Sequence, residues 1–150
     1  NDLVGRKLMR DRGESMGEFL TELRTFETEV ENHASSGISS LRRGFSEALV
    51  AFEDATQYLL VSGNENPNAP ASASFNYMMC MGVLTGGWLM LKSAVAAQAK
   101  IDAGSDDVFY ANKLATAQFY VEQILPRALA HKTAVMSGAD SIMAMSADAF

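Results

Sequence analysis

From Asn66 to Leu91 the chain carries no charged residue. A stretch so depleted of charge has to be covered by protein or by lipid, because an apolar helix leaves nothing for water to solvate. A membrane span needs about 20 consecutive, predominantly apolar residues. Asn76, Thr85 and the glycines Gly82, Gly86 and Gly87 interrupt that pattern, and Lys92 ends it. Gly82 and Gly86 form a Gly-x-x-x-Gly pair, which lets a neighbouring helix approach closely. The segment, about Ser72 to Asp102, therefore reads as the central helix of a bundle. A contact face for another subunit is an addition to that reading, and membrane contact is disfavoured.

The rest of the chain has helical punctuation. Three prolines occur, two of them in the breaker cluster Asn64 to Pro70, and no period-2 strand pattern or Asn-Gly hairpin signal is present. Gly13, Gly37, Gly63, Gly104 and Gly138 mark boundaries. A first helix is expected from about Ser15 to His33, opened by a capping box between Ser15 and Glu18. Its stripe is Met16, Phe19, Leu20, Leu23, Phe26 and Val30, with Glu27, Glu29 and Glu31 on a solvated face. A second runs from about Ile38 to Val61. Its seam Ile38, Leu41, Phe45, Ala48, Phe52, Ala55 and Leu59 alternates threes and fours, as helices packed at a shallow angle require. At ~1.5 Å per residue it is about 35 Å long. A fourth segment opens at Gly104, capped by Ser105 or Asp106. It carries Leu114, Ala117, Val121, Ile124, Ala128 and Val135 to about Ser137, with a kink at Pro126. A short amphipathic tail, Ser141 to Met145, leads to Phe150. The expected fold is all-α: an antiparallel up-down four-helix bundle with a short C-terminal helical tail.

With 150 residues the chain has the size of one domain, able to bury about 68–70% of its unfolded surface. Its formal net charge of -6 argues against nucleic acid as a partner, which requires a basic surface, and against attraction to anionic lipid. One cysteine, Cys80, excludes an internal disulfide and a cysteine-based zinc site. A free thiol and the lack of a secretory leader point to a reducing, cytoplasmic location. The opening Asn1-Asp2 in place of a methionine points to a piece of a longer polypeptide.

Chemistry-bearing patterns are missing. A di-iron bundle needs Glu-x-x-His twice, yet Val30 precedes His33 by three and Ala128 precedes His131 by three. Glu29 and His33 share a face, as a surface pair does. His33 stands at a helix end, and Lys132 points to a different face from His131, which disfavours phosphotransfer. Cys80, among Met78, Met79 and Met81, has no adjacent base and reads as an inert buried thiol. No phosphate-binding glycine loop occurs. The expected site residues are none: no catalytic group, no cofactor contact, no metal ligand.

Three stretches carry a family resemblance. Asp2-Leu3-Val4-Gly5-Arg6-Lys7-Leu8 resembles the segment that closes the dehydrogenase portion of the larger acyl-CoA dehydrogenases. Tyr77 through Gly82 and on to Gly87-Trp88-Leu89 resembles the third helix of their additional C-terminal domain. Lys113 through Pro126, reading Lys-Leu-Ala-Thr-Ala-Gln-Phe-Tyr-Val-Glu-Gln-Ile-Leu-Pro, resembles that domain's final long helix. The likeness covers essentially the whole chain, and its opening and final helix are the specific parts.

The resemblance implies that residues 1–10 end the dehydrogenase portion and that residues 11–150 form the C-terminal four-helix domain. It implies a parent FAD-dependent oxidoreductase that removes two hydrogens across Cα–Cβ of an acyl-CoA thioester, a glutamate taking the α-proton and the flavin the β-hydride. The Tyr-Glu-Gly-Thr motif of that family is absent here, so the resemblance places the catalytic glutamate before Asn1 and gives no such role to Glu14 or Glu18. The fragment alone is expected to be inactive and without cofactor, packing on its own dehydrogenase domains and on a second subunit. The alternative reading is a stand-alone helical protein-interaction module.

Overall fold

The computed structural model describes residues 2–149, so Asn1 and the terminal Phe150 lie outside the described residues. All the elements among the described residues are helical, with no strand. A π-helical segment, Asp2–Leu8, comes first. It is followed by α1 (Glu14–Val30), α2 (Ser36–Glu65), α3 (Asn68–Asp102), α4 (Val108–Gln123), α5 (Arg127–Met136), the short α6 (Asp140–Met143) and a 3-10 turn, Ala147–Ala149.

The seam expected on α2 is the core. Ile38, Phe45, Ala48, Phe52, Ala55 and Leu59 are buried, joined by Leu41 and by Leu49 beside the stripe. Only Asn66 and Pro67 separate α2 from α3, so the two must fold back on each other. Gly63 faces Pro70, Thr56 bonds Tyr77 and Ser35 bonds Gln98, one number rising as the other falls. α1 likewise runs against α2, with Gly13 near Leu60 and Arg24 on Glu53. Down the other flank of α3, Tyr120 meets Val83, Cys80 meets Ala128 and Ser72 meets Gly138. α3 is thus the central helix, touching α2, α4, α5 and the N-terminal segment. That segment is part of the core: Val4 and Leu8 are fully buried. Its wide turns are set by five-residue bonds, Met9 N–H to Val4 C=O and Gly13 N–H to Leu8 C=O.

Several boundaries differ from expectation for identifiable reasons. α1 is not opened by a Ser15–Glu18 box. Asp11 accepts from the Gly13 amide and from both the amide and hydroxyl of Ser15, and Gly13 turns the chain with φ +86°. The Ser15 bonds hold the Asp11 carboxyl below the usual carboxylate range. α1 stops at Val30, short of His33. Pro70 lies in the first turn of α3, where a helix needs no amide donor, so α3 starts earlier, at Asn68. The cap of α4 is Asp107, which accepts from Phe109 N–H at 2.9 Å, while Ser105 accepts from the Asp107 amide.

Pro126 ends its helix where only a kink was expected. The Tyr120 carbonyl accepts from both Ile124 and Leu125, and Pro126 has no amide for the next carbonyl in line. The fourth rod is therefore two helices, and Pro126 caps the second. This break turns Leu125 into the core, fully buried, while Ile124 is only partly so. In the tail, Ile142, Met143 and Met145 are exposed, while Ala139 just ahead of them is buried.

Candidate functional site

The side chains with chemical potential are occupied by structural contacts. The Cys80 thiol is buried and donates to the Ala128 carbonyl at 3.5 Å. Burial pushes its pKa up to about 11, the opposite of what a nucleophilic thiolate needs. His33 accepts the Ser35 amide on Nδ1 at 3.2 Å, which closes the turn between α1 and α2. His131 Nδ1 pairs with Asn76 Oδ1 at 3.0 Å, tying α5 to α3, and Lys132 pairs with Asp54. Glu29 is exposed. Among the described residues no three His, Cys, Asp or Glu side chains converge as a metal site would require.

Glu27 corrects the reading of the acidic run. It is buried, held by Arg24 at 2.7 Å and by Arg42 at 3.4 Å. Arg24 in turn grips Glu53 of α2 through two nitrogens. Those carboxylates, Glu53 first, raise the Arg24 pKa further. The cluster is an α1–α2 brace, invisible in the periodicity of α1 because half its charges come from α2. Glu29 and Glu31 do lie on the exposed side.

The cavities are small or open. A cleft of about 270 Å³ between the start of α2, the end of α3 and α4 is lined by Ile38, Leu41, Gln98, Leu114, Gln118 and Glu122. Pockets for drug-sized ligands run to about 300–1,000 Å³, so an acyl-CoA would not fit within it. A flavin dinucleotide fits no better. Its pyrophosphate needs a cradle of free backbone N–H groups, whereas Gly82, Gly86 and Gly87 lie inside α3, where the amides serve the helix. The α3 glycines therefore do not form such a cradle.

What the structure does build is a helix with two differently finished sides. On the inner side of α3, Tyr77 stacks on Phe52, ring centroids 4.9 Å apart, and bonds Thr56 at 2.9 Å. Gly87 on that side admits Leu125, whereas Gly86, one turn on from Gly82 and at the border of the outer side, is covered by Tyr120. On the outer side Phe75, Met78 and Leu89 are about half or more exposed, at 63%, 50% and 49%, and Met79 is exposed too. Gly82 sits among them with nothing within 4 Å of where a Cβ would stand. Length and composition alone would let α3 cross a membrane, yet its inner side is polar-bonded to α2, α4 and α5. Periodicity could not locate the bare side, because α3 is apolar nearly all round.

The profile of the family described as "Acetyl-CoA dehydrogenase C-terminal like" matches residues 19–146. A 3-methylmercaptopropionyl-CoA dehydrogenase of Ruegeria pomeroyi is 31% identical over 146 residues, 97% of this chain and 25% of that protein. A broad-specificity linear acyl-CoA dehydrogenase, FadE5, of Mycobacterium tuberculosis is 26% identical, over 99% of this chain and 26% of its own length. The chain spans about a quarter of the length of these relatives.

Proposed function

Because the chain belongs to the acetyl-CoA dehydrogenase C-terminal-like family, we propose that it is the non-catalytic helical domain of a larger, cytoplasmic, FAD-dependent acyl-CoA dehydrogenase. The one observation that carries this reading is the lopsided match. Relatives named as acyl-CoA dehydrogenases align with nearly all of this chain and with only a quarter of themselves. The oxidation of an acyl-CoA thioester across Cα–Cβ, with flavin as hydride acceptor, belongs to the remaining portion. The part played by these residues is support: α1, α2, α3 and the α4–α5 rod make an up-down bundle over residues 11–150. Residues 1–10 close the dehydrogenase portion and anchor it to the bundle through Val4 and Leu8. The domain packs on the dehydrogenase portion and contributes to the contact with a second subunit. The exposed apolar side of α3 supports a packing role, since contiguous apolar surface of that kind marks an interaction site.

The test is a paired expression. The full-length protein is expected to be yellow and to reduce an electron acceptor when given acyl-CoA. Residues 1–150 alone are expected to be colourless and inactive. A flavin-free, inactive full-length protein, or turnover by the 150-residue chain, overturns the proposal.

A further inference from the structure

We infer that the outer side of α3, centred on Gly82, is the surface on which the dehydrogenase portion of the same polypeptide docks; this rests on the function proposed above. Phe75, Met78, Met79, Gly82 and Leu89 recur at helical spacing and so share one side of α3. The other sides are taken by α2, by α4 with α5, and by the N-terminal segment.

Gly82 is the telling residue. Glycine inside a helix weakens it, and its neighbours have internal reasons to be glycine. A Cβ on Gly86 would overlap the Tyr120 hydroxyl, and one on Gly87 would lie 2.7 Å from Leu125. A Cβ on Gly82 would meet nothing within 4 Å beyond its own stretch of helix. The notch it leaves between methionines is shaped for an approach from outside, and methionines adapt to whatever fills it.

The occupant follows from where the rest of the protein attaches. This chain is about a quarter of its relatives' length, so a larger body is tethered to it. The tether enters through the N-terminal segment, whose Leu3 and Leu8 line a cleft with Met81 on the flank of α3 that adjoins the outer side. A body joined through that segment is held beside this side of α3 at a raised effective concentration, which a separate molecule does not match.

The test uses the full-length protein with Met79→Cys, Gly82→Cys and, as an exposed reference on α2, Gln57→Cys, each alkylated by a water-soluble maleimide over a range of protein concentrations. Cysteines at 79 and 82 are expected to react on the order of 100-fold more slowly than at 57, because reaction must await opening of the interface. The protection should not change on dilution. Equal rates at the three positions overturn the proposal. So does protection that vanishes on dilution, which would make a second copy the occupant, or protection that requires added phosphatidylcholine vesicles. Hydroxyl-radical oxidation of the unaltered protein gives the same reading without a substitution: Met78 and Met79 should be spared relative to the exposed Met145. Acyl-CoA oxidation by the unaltered protein is measured alongside. Activity with an exposed Met79 refutes the docking surface alone, and absence of flavin and activity refutes the functional reading beneath it.

Discussion

The Tyr120 hydroxyl occupies the space that Gly86 leaves open on α3 and donates to the Val83 carbonyl at 3.0 Å. The contact fastens α4 to the central helix just ahead of the break at Pro126. A methyl group at position 86 would collide with the ring tip and push the hydroxyl off the Val83 carbonyl. Gly86→Ala is therefore expected to destabilise the chain by about 1–3 kcal/mol, the usual cost of overpacking, in spite of alanine's better helix propensity. Gly82→Ala is the control. With open space around it, it should raise the stability of the 150-residue chain by about 0.5–1 kcal/mol. Urea denaturation of the two variants checks both signs, and a loss at both positions would mean that Gly82 is packed within this chain.

Tyr77 and Thr56 form a hydrogen-bonded pair with an assignable direction. Thr56 donates its one hydroxyl proton to the Phe52 carbonyl at 2.8 Å, so in the 2.9 Å bond between the two hydroxyls Tyr77 is the donor. Tyr77→Phe removes that donor and leaves the ring stacked on Phe52. It should cost about 0.5–1.5 kcal/mol, the net worth of one such bond. Tyr77→Ala also empties a large volume at the centre of the α2–α3 contact and should cost about 3–5 kcal/mol. Thermal unfolding that fails to separate the two would show that the ring is not packed as described.

Much of this architecture is legible in the residues because the physics behind it is local. The α2 seam from Ile38 to Leu59 follows from spacing alone, and the all-helical class from the lack of any period-2 run. What was illegible depends on partners distant in sequence or on competition between equivalent groups. Ser15-x-x-Glu18 reads as a capping box, but Asp11 takes both the amide and the hydroxyl of Ser15. Pro126 is compatible with a kink or an end, and the outcome turned on the Tyr120 carbonyl taking the Leu125 amide. Glu27 reads as solvated until Arg42 is brought over it from α2. The bare side of α3 had no signature at all, since a helix apolar around its whole circumference gives periodicity nothing to register.

The brace at Glu27 predicts an asymmetry between removing a carboxylate and neutralising it. Glu27→Ala leaves the half-buried Arg42 without its ion-pair partner, whereas Arg24 keeps Glu53. Breaking a fully buried pair from one side costs about 3–5 kcal/mol. Both arginines here are partly exposed, so about 1–3 kcal/mol is expected. Glu27→Gln keeps an acceptor for Arg24 and should lose less. Chemical denaturation in low and in high salt checks this: the loss in Glu27→Ala should shrink with salt only slightly, because Glu27 is mostly shielded from solvent.

Cys80 sets the behaviour of the fold in alkali. Its thiol has an ordinary value of 9.0, and burial raises it to about 11 in the folded chain. Below pH 9 the thiol is protonated whether the chain is folded or not, and the stabilising preference for the neutral form is fully present. Above pH 9 the unfolded chain releases this proton while the folded chain still holds it, so the unfolded state binds fewer protons and stability falls with rising pH. The fall from this group should be complete once the folded value near pH 11 is passed. Cys80→Ala removes that component, and its urea midpoint should decline less between pH 9 and 11 than that of the unaltered chain. The same burial predicts that a disulfide reagent at pH 8 modifies Cys80 only as fast as the chain opens, with labelling accelerating sharply in denaturant. Rapid labelling of the native chain, or identical alkaline profiles for the two proteins, would place the thiol at the surface and not beneath Ala128.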